Sequence, residues 1–418
     1  MQRLTRWWFI LVICAIVAGG AALAAPATAP PATTPTPSPT LIPAATPTPT
    51  VTPTPAPPTP TPTLVPTATP TVKVQATTTR SDDLLVNFGD FESTARIWYP
   101  GGTGPFPTVL IISGSGPDHI DEPYYQTIRD RLLFAGYAVA RYTKHYVYTP
   151  PAYSGDQIDI GAYQYQVSLR QLLIDADQVY RAVAARPRVD RSRIVLYGQS
   201  QGGRIVPQLA LAHPEVAGVI LHGASARPYR EENLANFRNL ILPFLNEVVD
   251  TNRDGLLTGR ELQVAQKEWA GTSMSYPLTY LYRPASRGQI NTYVDKNSDG
   301  RLSIAREVTL VYEEAFSKPD PDEAPDAELP PSSTIADYLG PILVQHGGRD
   351  GYVAPENADI FKGALAAAHH PDYTIILYPE LGHALGWTPS RYTDTVENID
   401  PEPLTDFINW LSKHVTRR

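Results

Sequence analysis

The sequence predicts an α/β fold in which helices cover both faces of a mostly parallel sheet. From about residue 81, short apolar runs alternate with segments of helical periodicity, as in successive βαβ units. Several apolar runs are continuous, which is typical of strands buried on both faces. The stretch between about Ala226 and Asp337 has no strand-like run, which indicates a helical insertion between two strands of the sheet.

The predicted elements follow one another along the folded part of the chain. The predicted strands are Phe91–Tyr99, Thr108–Ser113, Ala138–Tyr142, Ile194–Tyr197, Val216–His222, Pro341–His346 and Tyr373–Tyr378. The predicted helices are Tyr124–Ala135, Tyr165–Ala185, Gly203–Ala212, Asn357–Ala368 and Pro403–Val415. The insertion is expected to cover residues 227–337 within a folded domain of residues 81–418.

The N-terminal part of the chain is composed differently. Residues 1–25 carry Arg3 and Arg6, then an apolar run and a small-residue end, which is the pattern of a secretory signal peptide. The apolar run is also nearly long enough to be an uncleaved membrane anchor. Residues 26–80 are almost wholly Pro, Thr and Ala, a composition that predicts an extended, disordered stalk. We therefore expect an extracytoplasmic protein, either secreted or tethered to a membrane or cell wall.

Composition and charge exclude several classes of function. The net charge of −8 argues against nucleic acid or anionic lipid as a partner. Because Cys14 is the only cysteine of the chain, the folded part has no disulfide and depends on a large core or on bound metal. The sequence contains no phosphate-binding loop, dinucleotide-binding glycine fingerprint or zinc-ligand spacing, so we expect no organic cofactor.

The segment Arg193–Gly203 carries a nucleophile motif. It is a short apolar strand followed by G-x-S-x-G around Ser200 and then by a helical pattern. At such a strand-to-helix turn the serine takes a strained backbone conformation, which only small neighbours such as Gly198 and Gly202 allow. We therefore predict Ser200 as nucleophile and the backbone N–H of Gln201 as a donor to the developing oxyanion.

A second oxyanion donor is expected in the glycine-containing loop after the strand Thr108–Ser113, where the backbone can approach a ligand closely. The N–H of Ser115 is our prediction, and a tight turn without a ligand role is the alternative.

The nucleophile needs a base that is held by a third group. In open α/β sheets reactive groups gather at the carboxyl ends of the strands. Asp350 and His383 each follow the carboxyl end of one of the last two predicted strands, whereas His369 and His370 precede the last one. The sequence therefore predicts a triad in the chain order Ser200, Asp350, His383.

Five segments resemble the landmarks of a known family. They read "LIISGSGPDHIDE", "AVARYTKH", "IVLYGQSQGGRI", "ILVQHGGRDGYVAPEN" and "YPELGHALG". They are similar to bacterial α/β-hydrolases of the esterase/dienelactone-hydrolase-like group, from about residue 84 onward except for the insertion. The resemblance implies the α/β-hydrolase fold, hydrolysis of a small-molecule carboxylic ester through an acyl-enzyme, and catalytic roles for Ser200, Asp350 and His383. Ser113 stands where relatives often carry His.

The insertion contains a twelve-residue segment, 250–261, that fits an EF-hand calcium loop. Oxygen ligands recur at alternate positions because a hard cation needs oxygens converging from a tight loop, and Gly255 supplies the turn. The predicted ligands are Asp250, Asn252, Asp254, the Leu256 carbonyl, Thr258 through water, and Glu261.

A second segment, 295–306, repeats the D-x-N-x-D-G pattern but carries Arg306 at its twelfth position. Its predicted ligands are Asp295, Asn297, Asp299, Arg301, Ser303 and, one residue late, Glu307. We expect weaker calcium binding here, unless the exiting helix begins with an irregular turn. For both loops the alternative is a metal-free turn. Leu257 and Leu302 are equivalent apolar positions, so we expect the loops to pair.

Three functions remain open from the sequence. The first is an esterase with a calcium-stabilised lid formed by the helical insertion. The second is a serine peptidase or acyltransferase on the same fold, since the fold does not fix the leaving group. The third is a calcium-dependent surface binding protein without catalysis.

Overall fold

The computed structural model describes residues 80–116, 118–147, 153–154, 157–158, 165–166, 168–283, 289–316 and 329–415. The predicted signal segment and almost all of the predicted stalk lie outside these residues. Arg80, which the sequence places at the end of the stalk, is the first residue of a strand. No helix among the described residues is long and apolar enough to cross a membrane.

An eight-stranded sheet lies at the centre of the described part. Its strands are β1 (Arg80–Asn87), β2 (Glu92–Tyr99), β3 (Phe106–Ile112), β4 (Ala138–Tyr142), β5 (Val189–Gln199), β6 (Gly218–His222), β7 (Ile342–Gly347) and β8 (Tyr373–Tyr378). Across the sheet the order is β1-β2-β4-β3-β5-β6-β7-β8. All pairs from β4 to β8 are parallel, whereas β2 is antiparallel to both β4 and β1. The predicted mostly parallel sheet is confirmed.

The edge strand β1 was not predicted from the sequence. Its residues RSDDLLVN begin with a charged run that reads as part of a linker, and most of them are exposed or half-buried. They form a strand because they pair along their whole length with β2, from Arg80 opposite Tyr99 to Asn87 opposite Glu92. Pairing with a long neighbour therefore outweighs the weak local preference of this segment.

Helices connect and cover the strands. They are α1 (Pro123–Phe134), α2 (Leu169–Ala184), α3 (Gly202–Ala212), α4 (Tyr229–Asn236), α5 (Gly259–Glu268), α6 (Ser275–Leu281), α7 (Thr309–Ala315), α8 (Pro331–Ala336), α9 (Asn357–Ala367) and α10 (Pro401–His414). The helix predicted from Tyr165 begins at Leu169, because the Ser168 hydroxyl caps it by accepting from the N–H of Gln171 at 3.2 Å.

The core lies on both faces of the sheet. Along β3, Val109 and Ile111 pack with α1 and α10, whereas Leu110 and Ile112 pack with α2 and α3. All four side chains are buried, and burial of each contributes about 2 kcal/mol to folding. The continuous apolar runs of the sequence are thus explained by burial on two sides.

The insertion, hereafter the insert (residues 227–337), leaves the sheet after β6 and returns before β7. It begins with α4, which continues through the π-helical turns Phe237–Ile241 and Leu245–Val249 on either side of Leu242–Phe244. It then contains α5 to α8. Its buried apolar side chains from Phe237 to Phe316 form a hydrophobic cluster of their own, whereas Ile335 on α8 packs in the main core.

The sequence predicts an insert without strands, but the insert also contains two pairs of short strands. Leu256–Thr258 and Arg301–Ser303 form a two-stranded antiparallel sheet, and Tyr282–Arg283 pairs with Gln289–Ile290. These strands are too short to show periodicity. The expected pairing of the two loops is confirmed, because Leu257 lies opposite Leu302.

Candidate active site

Ser200 lies on a sharp turn between β5, which ends at Gln199, and α3, which begins at Gly202. Its backbone φ is 52°, a left-handed value that is unfavourable for a serine. Its N–H donates to the carbonyl of His222 at 2.9 Å, at the end of the neighbouring strand β6. A Cβ atom at residue 202 would lie 2.1 Å from the carbonyl oxygen of Ile112, so the turn requires glycine there.

Asp350 and His383 meet at the same edge of the sheet. Asp350 follows β7 and His383 follows β8, and His383 Nδ1 lies 2.8 Å from Oδ2 of Asp350. Both side chains are buried. The other carboxylate oxygen of Asp350 accepts from the N–H groups of Tyr352 and Val353, each at 2.8 Å. Three hydrogen bonds therefore fix the orientation of the Asp350 carboxylate.

Asp350 and His383 each shift the pKa of the other in favour of its charged form. Burial opposes ionisation of Asp350, but the charge of His383 and hydrogen bonds from His346 and His383 outweigh it, so the pKa of Asp350 is lowered. Burial disfavours the imidazolium of His383, yet the charge and hydrogen bond of Asp350 raise the pKa of His383. Asp350 thus stays ionised, and His383 is a stronger base than a free histidine.

Ser200 and His383 contact consecutive residues at the end of β6. The N–H of Ser200 binds the carbonyl of His222, and a Cβ atom at Gly223 would lie 3.0 Å from Nδ1 of His383. Gly223 has φ of 52° and leaves room for the imidazole. The structure therefore brings all three predicted catalytic residues to one edge of the sheet.

The glycine-containing loop that follows β3, hereafter the oxyanion loop, lies against the turn that carries Ser200. A Cβ atom at Gly114 would be 3.2 Å from Cβ of Ser200. The N–H of Gly114 donates to the hydroxyl of Tyr125 at 3.2 Å, and that hydroxyl donates to the side chain of Gln199 at 3.0 Å. Ser115 follows Gly114 directly and is exposed.

Asp394 is a buried carboxylate that was not predicted from the sequence. Its Oδ2 atom accepts from the N–H of Gly351 and from the N–H of His383, each at 2.8 Å. It therefore joins the loop that carries Asp350 to the loop that carries His383. Burial and the charge of Asp350 raise the pKa of Asp394 to about 7, against the effect of the two N–H donors. Its loop has no periodicity or motif that marks it.

Two further histidines that contact Asp350 and His383 were not predicted from the sequence. His346 Nε2 lies 3.2 Å from Oδ2 of Asp350. His222 Nε2 donates to the carbonyl of His383 at 3.1 Å, and its Nδ1 is hydrogen-bonded to the hydroxyl of Tyr197. Burial, with the charge of His383, lowers the pKa of His222 to about 3, so it stays neutral. Both histidines lie in predicted strands, where only burial was expected.

The insert contacts the loop that carries Asp394. Ser273 lies between α5 and α6, and its N–H donates to the carbonyl of Asp394 at 2.8 Å. Its hydroxyl donates to the carbonyl of Arg391 at 2.7 Å, and Arg391 Nε donates to the carbonyl of Asp350 at 2.9 Å. A continuous set of hydrogen bonds therefore connects the insert to Asp350 of the predicted triad.

Aromatic packing strengthens this contact. The ring of Tyr392 packs against Phe244, at 5.1 Å between centroids, and against Trp269, at 6.3 Å. Trp269 directly follows α5, the helix that leaves the first predicted calcium loop. Packing and hydrogen bonds thus join the first loop, through one short helix, to the sheet edge that carries Ser200, Asp350 and His383, hereafter the catalytic edge.

The first predicted calcium loop is held by its own carboxylates. Asp250 accepts from the N–H groups of Asp254, at 3.2 Å, and Gly255, at 2.8 Å. Glu261 accepts from the N–H of Thr251 at 3.2 Å and from the N–H of Thr258 at 2.9 Å. Both ends of the loop therefore turn inward.

The second loop has the same arrangement despite its displaced glutamate. Asp295 accepts from the N–H groups of Asp299 and Gly300, at 3.2 and 3.0 Å. Glu307 accepts from the N–H groups of Lys296 and Ser303, each at 2.8 Å, at the loop positions that bind Glu261 in the first loop.

A π-helical turn, Ile304–Val308, accounts for this equivalence. A π-turn inserts one extra residue into a helix, so the thirteenth residue reaches the place of the twelfth. Arg306, at the twelfth position, is exposed. The irregular turn that would bring Glu307 into place is therefore present.

The remaining predicted ligands lie within the same two loops. The Asn252 and Asn297 side chains each accept from the N–H two residues on, at 3.0 and 2.8 Å, and donate to Asp254 and Asp299. Leu256 and Thr258 pair with Ser303 and Arg301. Across the described residues, no three His, Cys, Asp or Glu side chains are grouped closely enough to hold a metal ion.

The chain is similar to known hydrolases. It is 28% identical over 332 residues to the esterase EstD of Thermotoga maritima, a match of 76% of this chain. The match covers 65% of that esterase, so the chain spans less than two thirds of this relative. A dienelactone hydrolase-like protein of Klebsiella pneumoniae matches 82% of this chain and 100% of its own, at 14% identity and a TM-score of 0.46. An esterase of Pyrococcus furiosus matches 80% of this chain and 91% of its own, at 12% identity and a TM-score of 0.46.

The matched residues of the family model include Ser200, the insert, Asp350 and His383. The model of the alpha/beta hydrolase fold matches residues 173–388, which is more than half of the chain. The chain belongs to the alpha/beta hydrolase family.

Proposed function

We propose that the protein is a carboxylic-ester hydrolase that acts through an acyl-enzyme on Ser200. The observation that carries the proposal is the buried Asp350–His383 pair, at 2.8 Å, on the sheet edge where Ser200 sits on a strained turn. Similarity to the Thermotoga esterase supports the ester as substrate class.

The chemistry follows from the positions of these groups. His383 takes the proton of the Ser200 hydroxyl as its oxygen attacks the acyl carbon, and the carbonyl electron pair moves onto the oxygen. The N–H groups of Gln201 and Ser115 stabilise this oxyanion. When the tetrahedral intermediate collapses, the alcohol leaves with the proton from His383. Water then attacks the acyl-enzyme with His383 again as base, which releases the acid and restores Ser200.

Covalent labelling tests the nucleophile. A fluorophosphonate should modify the wild-type protein at Ser200 and leave Ser200→Ala unmodified, as peptide mass spectrometry would show. Absence of labelling in the wild type would favour the third function, a calcium-dependent surface binding protein that does not catalyse.

A substrate screen separates the esterase from its enzymatic alternatives. We expect turnover of p-nitrophenyl esters, with a preferred chain length, and little turnover of aminoacyl amides. A preference for the amides would identify a peptidase. Product transfer to an added alcohol in preference to water would identify an acyltransferase.

We also propose that the two loops of the insert bind calcium and stabilise a lid over the catalytic edge. The donors are carboxylate, amide and backbone oxygens, which suit a hard cation. Because no three acidic side chains are grouped closely enough to hold an ion by themselves among the described residues, the amide and backbone oxygens have to complete each site. The matching positions of Glu261 and Glu307 give both loops a carboxylate at the closing position. Bound calcium would supply structural charge only, and the reaction does not pass through it.

Calorimetry tests calcium binding without reference to activity. We expect about two ions per chain, and a higher Tm with calcium than with a chelator, since a ligand of the folded state stabilises it by mass action. Magnesium at the same concentration serves as control. No heat and no change in Tm would reduce both loops to ordinary turns.

Export and tethering are the third part of the proposal. They rest on the signal-like segment 1–25 and the Pro/Thr tract 26–80. The native protein should be found outside the cytoplasm, in the medium if the segment is cleaved and in the membrane fraction if it is retained. Recovery in the cytoplasm alone would refute it.

A further inference from the structure

Lys144 is a buried lysine next to the catalytic turn. It follows β4 and only 2% of it is exposed. Its ammonium group donates to the carbonyl oxygen of Gly114 at 2.6 Å and to the side-chain oxygen of Gln201. Removing an ammonium group from water is costly unless acceptors surround it, so these contacts fix its position.

The two acceptors belong to the two segments that supply the proposed oxyanion donors. Gln201 follows the nucleophile, and its backbone N–H is one donor. The carbonyl of Gly114 belongs to the same peptide unit as the N–H of Ser115, the other donor. One ammonium group therefore connects both donor segments.

Peptide geometry makes the contact with Gly114 directional. The peptide bond between Gly114 and Ser115 is trans, so its C=O and N–H groups lie in one plane and point in opposite directions. When Lys144 holds the carbonyl, the N–H of Ser115 must point away from Lys144. Hydrogen bonding at the carbonyl by a cation also polarises the peptide, which makes its N–H a stronger donor.

The loop is also anchored at its far end by neighbours of Lys144. The N–H of Lys144 donates to the carbonyl of Asp118 at 3.0 Å, and the buried guanidinium of Arg141 binds the carboxylate of Asp118 at 2.7 Å. The oxyanion loop is thus held by the end of β4 at both Gly114 and Asp118.

We propose that Lys144 is a positioning residue for the oxyanion site: it holds the Gly114–Ser115 peptide and the Gln201 segment so that both N–H groups face the oxygen of the tetrahedral intermediate. This inference rests on the proposed ester hydrolysis. Since the oxyanion exists only in the transition state and intermediate, Lys144 should affect kcat and leave substrate binding almost unchanged.

The test compares Lys144→Met, Lys144→Arg and the exposed control Lys362→Met in the full chain. With the best p-nitrophenyl ester, we expect kcat of Lys144→Met to fall about 10- to 100-fold, with KM within about threefold of wild type. Lys144→Arg keeps the charge and should recover part of the loss. Lys362→Met should match the wild type.

A trifluoromethyl ketone provides the readout that a merely structural role would not change. It forms a tetrahedral adduct with the nucleophile, whose oxyanion occupies the same site. Its affinity for Lys144→Met should fall by a factor similar to that of kcat/KM. Wild-type kcat in a folded Lys144→Met protein, or an unchanged inhibitor affinity beside a raised KM, would overturn the inference.

A second variant covers the case in which Lys144→Met does not fold. Gln201→Met removes one acceptor and leaves the Lys144 contact with Gly114, so kcat should fall about 3- to 10-fold. Wild-type kcat in that variant would also overturn the inference. A wild type that hydrolyses no ester and is not labelled at Ser200 would instead refute the proposed function.

Discussion

The catalytic edge and the calcium-type loops are built in opposite ways. Ser200, Asp350 and His383 follow three different strands, and only the order of the sheet brings them together. Each loop of the insert takes its inward-facing groups from one short stretch of chain, such as 250–261. Because the three residues of the sheet edge have to act together, removing any one of them should abolish most of the activity. Removing one side chain from a loop should lower the stability of the protein by only a limited amount.

The two regions are nevertheless connected. Ser273 of the insert binds the loop that carries Asp394, and Asp394 binds the N–H groups of Gly351 and His383. The comparison therefore predicts effects of decreasing size from the triad, through Asp394, to the loops, and finally to the N-terminal tract.

The largest effect is expected at the triad. Ser200→Ala should lower ester turnover by a factor of about 10³ or more, and His383→Ala by a comparable factor, because triad members act as a unit. Steady-state kinetics measures this loss, and the calcium-dependent rise in Tm should be unaffected in Ser200→Ala. Near wild-type turnover in either variant would refute the assignment of the triad.

Removing the carboxylate that joins the triad loops should come next. Asp394→Ala loses the acceptor of two N–H groups, and we expect kcat to fall about 10- to 100-fold because His383 and Asp350 are no longer held together. Asp394→Asn is the matched control, since its side-chain oxygen can still accept both hydrogen bonds. Kinetics that are equally poor in both variants would show that the charge, and not the acceptor, is needed.

The same pair of variants tests the pH dependence. The charge of Asp394 helps to raise the pKa of His383, so Asp394→Asn should move the acidic limb of kcat/KM to lower pH. The pKa of Asp394 is raised from 3.8 to about 7 in the folded protein. Its protonated form therefore contributes stability that is full below pH 3.8 and lost as pH rises through about 7. Urea unfolding should show a smaller loss of stability over this range in Asp394→Asn.

A smaller effect, similar in size for both loops, is expected when the closing glutamate of either loop of the insert is replaced. The sequence predicts tighter calcium binding at 250–261, but Glu307 occupies in the second loop the place of Glu261 in the first. We therefore expect Glu261→Gln and Glu307→Gln to reduce the calcium-dependent rise in Tm by similar amounts, a few degrees each. Differential scanning calorimetry with calcium and with chelator measures both. If only Glu261→Gln reduced the rise in Tm, the first loop would be the tighter calcium site, as the sequence predicts.

The smallest effect is expected from the N-terminal tract. Removal of residues 1–79 should leave kcat, KM and Tm unchanged, because a Pro/Thr-rich segment has too little apolar surface to pack on a core. A large drop in Tm after truncation would show that the tract docks on the domain.

Most of the parallel sheet was predictable because its strands are buried on both faces and read as continuous apolar runs. The rule that reactive groups follow strand ends selected Asp350 and His383 from several acids and histidines. The edge strand β1 was missed because its charged residues are paired by β2 and are not themselves strand formers.

The residues that support the site could not be predicted from the sequence for a different reason. Asp394 and Lys144 are hydrogen-bonded to backbone groups elsewhere in the chain, and no spacing or periodicity in the sequence marks such partners. In the second loop the offset of Glu307 was visible, but the π-turn that compensates for it depends on packing in the insert.

Hydrogen bonds hold the two ends of the insert together. Both the N–H and the hydroxyl of Ser332 donate to the carbonyl of Ala226, at 3.3 and 2.8 Å. The chain thus leaves and re-enters the hydrolase core at almost one point, and the intervening part has its own hydrophobic cluster. Such a module can be gained, lost or exchanged by a change at one place in a gene, without rerouting the sheet. The insert is therefore a suitable segment to replace with other folded segments in engineered variants.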